Sequence, residues 1–442
     1  MKIDLPQDVR FILETIREAG YEAYVVGGCV RDCLLGKKPV DWDITTSALP
    51  HQIKEIFPKT IDTGIQHGTV TVMLYGEGYE VTTYRIDGEY EDGRHPREVA
   101  FTGNLLEDLK RRDFTINAMA YNERQGIVDA FGGKKDLEEG IIRCVGNALS
   151  RFEEDALRLM RAVRFSAQLG CRIEEETAAA MRKMAPGLAQ VSAERIQVEL
   201  IKLLTSAHPD YLRIAWENGL TKVFLPEFDK AMETPQNHPH HCYSVGEHIL
   251  HSLMAVEADK VLRLTMLLHD IGKPGTRHQD ENGIDHFYGH GDLGEKMAVA
   301  VLRRLKMDRD TIDKVSRLVK YHDLRPKPVP KVIRKVMVQV GPQIFERLLK
   351  VQKADILAQA VYKREEKLEA LEAIERVYKE VVEAGDCLSL KEMAITGKDL
   401  LALGMQPGKE MGAVLNRLFE YVLENPEKNR RDILLSLVQQ QK

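Results

Sequence analysis

Apolar residues recur at helical spacing through the first twenty positions, MKIDLPQDVRFILETIREAG, with charged residues between them. This pattern predicts an amphipathic helix and not a targeting leader. Tyr21–Val26 is a short apolar run that stops at Gly27-Gly28, and a helix is expected from about Val30. Thr69–Tyr75 and Glu80–Tyr84 alternate apolar and polar positions around Gly76-Glu77-Gly78, which reads as a hairpin. From about residue 145 the two-residue period fades. Segments 151–170, 193–205, 245–268, 293–306, 310–321 and 361–383 carry apolar residues at helical spacing instead.

Proline marks the breaks: Pro226, Pro235 and Pro239 amid polar residues at 225–241, then Pro326, Pro328 and Pro330. A third change falls near Gly385, before ITGKDLLALGMQPGKEMG. The pattern predicts an α+β chain in four parts, 1–145, 146–225, 236–360 and 361–442, mixed first and all-helical afterwards. No apolar run approaches the roughly 18–20 residues that a membrane span needs.

Composition narrows the function. A length of 442 residues predicts two to four domains. Aromatics at 6% argue against a stacked-aromatic RNA platform as the main design. A net charge of −5 excludes nucleic-acid binding in the manner of a basic protein and leaves room for a local basic groove. The six cysteines are scattered without a CxxC pair, which suggests reduced thiols in a cytoplasmic protein. Ten of 14 histidines lie between His238 and His322, a clustering that suggests a metal site or an imidazole-rich pocket.

Twelve residues after Gly27-Gly28 comes Asp41-Trp42-Asp43-Ile44. On a strand, Asp41 and Asp43 share a face, and their mutual repulsion is relieved by a hard cation such as Mg²⁺. A Gly-Gly turn running into a helix lets backbone N–H groups approach a triphosphate. Glu80 is a candidate third carboxylate. Such parts suit two-metal nucleotidyl transfer. A DxD pair by itself is usually a turn or a solvated strand edge, and no P-loop pattern occurs.

Order adds what the single motifs lack. Gly27-Gly28-Cys29-Val30-Arg31-Asp32, Asp41-x-Asp43, Arg111-Arg112-Asp113-Phe114-Thr115-Ile116-Asn117-Ala118-Met119-Ala120, and Glu154-Asp155-Ala156-Leu157-Arg158-Leu159-Met160-Arg161-Ala162-Val163-Arg164-Phe165 follow in series. This series resembles the class II tRNA nucleotidyltransferases, the CCA-adding enzymes and their bacterial poly(A) polymerase relatives. The resemblance implies a polymerase-β-like head with a mixed sheet and a helical neck. It implies Mg²⁺ on Asp41 and Asp43, and nucleotide contacts from Gly28, Arg31 and Arg112.

Asp155, Arg158, Arg161 and Arg164 recur every third residue, so on one helix they wind slowly down one side. Read alone, they are a solvated face with an ion pair worth a few tenths of a kcal/mol. The resemblance implies base selection. Cytosine and adenine each set an amino donor beside a ring acceptor, which a carboxylate next to a guanidinium matches. Uracil and guanine would set a carbonyl against the Asp155 carboxylate, and unpaired buried polar groups reject ligands strongly. The segment from Asp87 to Pro96 resembles the loop kept by enzymes that add the terminal A, and argues against CC-only addition.

His248, His269-Asp270, His290, His322-Asp323 and Asp355 occur in that order. A single His-Asp pair is most often a structural hydrogen bond. The series resembles the HD superfamily of metal-dependent phosphohydrolases, which implies His248, His269, Asp270 and Asp355 as ligands. Imidazole with carboxylate suits Mn²⁺, Fe²⁺, Co²⁺, Ni²⁺ or Zn²⁺. His290 and His322 would add a second metal or orient a phosphate, and His251, one turn from His248, competes for the ligand role. Phosphatase or cyclic phosphodiesterase action on RNA-derived phosphates is the implied chemistry.

The tail from Gly397-Lys398 to Gly412 resembles that of HD-containing nucleotidyltransferases; Gly-Lys there is either an RNA-phosphate contact or part of a packed helix-loop-helix. Segment 363–380 reads as an exposed helix face.

The expected function is template-independent addition of CCA to tRNA from CTP and ATP, with tRNA as partner, no membrane and no obligate protein partner. The alternatives are an A-adding enzyme, a poly(A) polymerase, or an HD phosphohydrolase whose head only binds RNA.

Overall fold

The computed structural model describes residues 2–87, 99–240 and 242–440. Gly88–Pro96, the bulk of the loop singled out above, lie outside the described residues. The chain forms two compact units, Met1–Pro226 and Glu227–Lys442.

Unit 1 opens with α1 (Gln7–Glu18), which buries Val9, Ile12, Leu13 and Ile16. That spacing of three and four is one face of a helix, and each such side chain contributes roughly 1.5–3 kcal/mol on burial. The main sheet has seven strands: β1 (Ala23–Val26), β2 (Ile44–Thr46), β3 (Thr60–Gly64), β4 (Thr69–Leu74), β5 (Glu77–Thr83), β6 (Ala120–Asn122) and β7 (Gly126–Val128). Their spatial order is β3-β4-β5-β2-β1-β6-β7. Only β2–β5 is parallel, so the sheet is mixed as expected. The hairpin β4–β5 turns at Tyr75-Gly76, where φ is positive at both residues.

After β1 the chain turns at Gly27, whose φ of +80° favours glycine. Helix α2 (Gly28–Leu34) then starts two residues before the expected position. Asp41 and Asp43 do not lie on a strand. They sit in the extended segment before β2, held there because the Val26 N–H donates to the Asp43 carbonyl at 3.0 Å.

The helical part of unit 1 begins with α3 (Ala148–Glu154) and α4 (Leu157–Leu169). The single helix expected over 151–170 is therefore broken. Asp155 is extended (φ −146°, ψ 103°), and its side chain accepts from the Leu157 N–H at 3.0 Å. Short polar side chains compete with the helix for their own backbone in this way. Helix α5 (Ala193–Leu204) packs on α4.

One buried ion pair ties α4 to the Arg111–Ala120 segment. The Asp113 carboxylate is 7% exposed and accepts from the Phe114 N–H, from Arg161 Nε at 2.8 Å and from Arg161 Nη2 at 2.6 Å. Burial pushes its pKa upward, but Arg161 and these bonds win and hold it at about 2.

Unit 2 is helical. Pro226 opens a helix, Pro226–Glu233, rather than breaking one, because proline is tolerated in the first turn. The segment 245–268 forms two helices, α6 (Val245–Met254) and α7 (Lys260–Leu268), since Asp259 caps the second through the Val261 and Leu262 N–H groups. Then come α8 (His290–Arg304), α9 (Arg309–Tyr321), α10 (Phe345–Ala358), α11 (Arg364–Glu383) and α12 (Lys409–Glu424). Helix α11 buries Leu371, Ile374 and Val381 and exposes most of its charged face. In the tail, Leu400 of the short helix Gly397–Ala402 is fully buried with Val422 and Leu434, while Lys398 stays exposed.

Asp113→Asn removes this carboxylate from Arg161, whose side chain is one-third exposed and keeps Glu199 at 4.0 Å. We expect a loss of about 1–3 kcal/mol in chemical denaturation. The native pair contributes fully above the unfolded carboxylate pKa near 3.8 and is lost as pH falls toward about 2. The acid-induced loss over that window should therefore be shallower in the variant.

Candidate functional site

Both ends of the Gly27 turn are fixed by backbone. The Gly27 N–H donates to Met119 O at 3.1 Å, and a Cβ on Gly27 would lie 3.0 Å from Arg112 Nη1. Arg112 reaches Asp108 at 3.5 Å, and its Nε is buried with no hydrogen-bond partner among the described residues. Asp41 and Asp43 are exposed at the mouth of this turn. Desolvation raises the Asp43 pKa, Arg112 opposes it, and Asp41 adds to the rise. A divalent cation is the species that relieves such a pair, so the residues fit one. Glu80 precedes Val81, the register partner of Ile44, and is exposed; it is not among the charges acting on Asp43.

Cys29 begins α2 behind the carboxylates. Its thiol approaches Val26 O and Asp43 O, and burial, with Asp43, pushes its pKa up to about 12.

Three guanidinium groups surround the buried Phe165 ring: Arg164 at 3.8 Å, Arg31 at 5.2 Å and Arg161 at 5.3 Å from its centroid. Arg31 donates to Asn117 Oδ1 at 2.7 Å, and Asn117 Nδ2 donates to Asp113 at 3.3 Å. Arg164 Nε lies 2.5 Å from Glu199, which is buried on α5. So Arg31, Arg161 and Arg164 share one network.

Asp155 and Arg158 are not ion-paired to each other. Asp155 Oδ2 accepts from Arg195 at 2.7 Å. Arg158 lies 2.5 Å from Glu154 and donates to the carbonyls of Arg151 and Arg111, each at 3.0 Å. The slow spiral of four residues down one helix is therefore corrected: Asp155 stands at the α3–α4 break, and only the three arginines ride α4.

Sequence reasoning missed Glu199 and Arg195 as partners. Their i,i+4 spacing on α5 reads as an ordinary surface pair, whereas both turn toward the arginine network.

In unit 2 the structure brings together His248 (α6), His269 and Asp270 (just after α7), His290 (start of α8), His322 (just after α9) and Asp355 (α10). His248 Nε2 is 3.1 Å from His269 Nε2 and 3.0 Å from Asp355 Oδ1. Asp270 Oδ2 lies 3.5 Å and 3.3 Å from those two imidazoles. Its other oxygen lies 3.7 Å from His290 and 3.5 Å from His322, whose own Nε2 atoms are 3.2 Å apart. His251 instead stacks on Tyr243 at 4.1 Å and stands outside the cluster.

Each imidazole points Nδ1 at a carbonyl: His248 at Ala358, His269 at Met266, His290 at Phe287 and His322 at Val319. Nδ1 then carries the proton, and the Nε2 lone pairs converge on one another. Acceptors about 3 Å apart cannot bond each other; a cation between them can satisfy both. Two groups fit such ions, His248/His269/Asp270 and Asp270/His290/His322. Gly272 makes the geometry accessible, because a Cβ there would lie 2.3 Å from His290 O. Lys273, which sequence reasoning passed over, lies 2.7 Å from Asp270 Oδ2 as an ion pair and donates to Gln236 at 2.8 Å. Its signal was the i,i+3 spacing from Asp270.

Comparison with known proteins follows this division. The family "Poly A polymerase head domain" matches residues 23–143. The family "Probable RNA and SrmB- binding site of polymerase A" matches residues 170–232, and tRNA nucleotidyltransferase domain 2 matches residues 279–438. The CCA-adding enzyme of Lactobacillus helveticus (strain DPC 4571) is 37% identical over 98% of this chain and 98% of its own. That of Enterococcus faecalis (strain ATCC 700802 / V583) is 36% identical over 98% of this chain and 95% of its own. The crystal structure of the Bacillus stearothermophilus CCA-adding enzyme in complex with CTP superposes with a TM-score of 0.72 at 30% identity, covering 98% of this chain and 97% of that one. With full-length relatives of this identity, a nucleotidyltransferase head and the arginine-lined helix beside it, the chain belongs to the family of CCA-adding enzymes, the tRNA nucleotidyltransferases.

Proposed function

We propose that unit 1 builds the 3′-terminal CCA of tRNA from CTP and ATP, in the cytoplasm, with Asp41 and Asp43 as its metal-holding carboxylates. The observation that carries this reading is the convergence at the Gly27 turn: two crowded carboxylates, an orphaned Arg112 Nε and a bare backbone bend. Mg²⁺ bound by the two aspartates supplies charge neutralisation at the triphosphate and at the attacking 3′-hydroxyl.

The remaining work falls to the chain itself. Gly28 leaves its backbone open to the phosphates, and Arg112 and Arg31 supply guanidinium donors. The Asp113–Arg161 and Glu199–Arg164 pairs hold the neck arginines in place before nucleotide arrives. Asp155 accepts the exocyclic amino group of C or A, and Arg158 donates to the adjacent ring nitrogen. Carboxylate oxygens keep lone pairs beyond those given to Arg195 and Leu157.

A second reading concerns unit 2. The four imidazoles with anchored Nδ1 and converging Nε2 atoms support a transition-metal phosphohydrolase site on His248, His269, Asp270 and Asp355, with His290 and His322 completing a second position.

Asp41→Ala should lower CTP incorporation into tRNA lacking its CCA end by about 10³-fold or more at saturating Mg²⁺; near-normal incorporation would remove Asp41 from the metal site. Arg158→Ala should loosen discrimination against UTP and GTP by at least about tenfold, read as ratios of kcat/KM; a uniform fall in rate with selectivity intact would assign Arg158 a structural role only. Purified protein reconstituted with Mn²⁺, Ni²⁺ or Zn²⁺ should retain metal by elemental analysis. Loading should fall as pH drops, because protons compete with the ion for Nε2. His269→Ala should lose that metal while unit 1 still incorporates nucleotide.

A further inference from the structure

Around the histidine cluster lies a row of rings that the metal reading leaves unused. Tyr288 stacks on His286 at 5.4 Å with 4° between planes. His286 meets His238 edge-on at 6.4 Å, His238 meets His240 at 5.0 Å, and His240 meets Tyr362 at 5.0 Å. The two tyrosines at the ends are 76% and 51% exposed. The three imidazoles between them are half-buried, so the row presents exposed ring surface chiefly at its two ends.

Two cavities lie along this row. One, of about 620 Å³, contains His238, His286 and Tyr288 together with Asp270, His290, His322 and Asp355 of the cluster. The other, of about 520 Å³, is lined by His240 with Arg325, Lys327 and Lys367. Gln359 and Asp323 line both, so the two cavities adjoin. The second is a cationic pocket with one carboxylate, Asp323, on its wall. Burial, then Lys367 and His238, keep the His240 imidazole below its ordinary pKa, so its ring is neutral and free to stack at pH 7.

A mononucleotide at the cluster would use the first cavity and the rings that line it. The row continues beyond that, past a second set of cations. A ligand that uses all of it has several flat bases joined by phosphates. Alternating ring platforms and cations are how proteins hold single strands without reading their sequence.

We propose that unit 2 binds a single-stranded RNA end, with successive bases stacked between Tyr288 and Tyr362, a backbone phosphate at Lys367 and Arg325, and its terminal phosphate at the His–Asp cluster. This rests on the metal-site reading for the terminal phosphate only; the stacking path stands on the rings. RNA is the strand chosen because the family models this chain matches are named for RNA binding and tRNA nucleotidyl transfer.

The test uses the full chain, metal-loaded, with a uridine pentanucleotide carrying 5-iodouridine and a 3′-terminal phosphate. Photocrosslinking followed by peptide mapping should place adducts on peptides containing Tyr288 or Tyr362. Tyr288→Ala and Tyr362→Ala should each weaken pentanucleotide binding about five- to tenfold, and Tyr288→Phe, which keeps the ring, should restore it. Crosslinks confined to residues 1–226 would overturn the proposal, as would uridine 3′-monophosphate binding as tightly as the pentanucleotide. Repeating the mapping after chelation separates the two readings. Adducts on the tyrosines in protein that never retains metal would sink the metal site and leave the strand path standing; metal-replete protein without such adducts would do the reverse.

Discussion

The carboxylate of Asp113 is the point on which the nucleotide end of the molecule turns. It is buried, it is ionised, and it has two clients. Through Arg161 it fixes a helix of the neck. Through Asn117 it fixes Arg31, which sits on the helix after the glycine turn. A charge in that position is costly unless every lone pair is met, and here it is met by a guanidinium, an amide and a backbone N–H. The arginines proposed to face a triphosphate are thus preset by a carboxylate outside the proposed nucleotide contacts.

What could be read from the chain alone follows from how local the physics is. Gly27-Gly28 was legible because a turn with φ of +80° has few other solutions. The two aspartates were legible as a pair, yet their place ahead of the strand was not, since the bond placing them comes from Val26. Asp155 misled for a related reason: one short side chain can serve as a helix-face charge or fold back on its own backbone, and periodicity does not distinguish these. Arg195 and Glu199 carried no signal, because their partners lie 40 and 35 residues away. Pro226 and Asp259 did carry signals, of a first-turn proline and a cap, and the apolar pattern around them hid both.

The histidines of unit 2 show the opposite balance. Their order and enrichment announced the cluster, and the structure gathers five of the named residues around the sixth, Asp270. Composition argued against a stacking surface, since Phe, Trp and Tyr are scarce. Imidazoles supply three of the five rings in the row, a substitution that an aromatic count does not register.

The Cys29 thiol approaches the Asp43 carbonyl, and burial first, then the Asp43 charge, keep its sulfur protonated. A thiol held near 12 is almost never a thiolate at neutral pH, and the thiolate is what oxidants and alkylating agents attack. The proposed metal site therefore neighbours a cysteine that does not share the ordinary reactivity of a thiol.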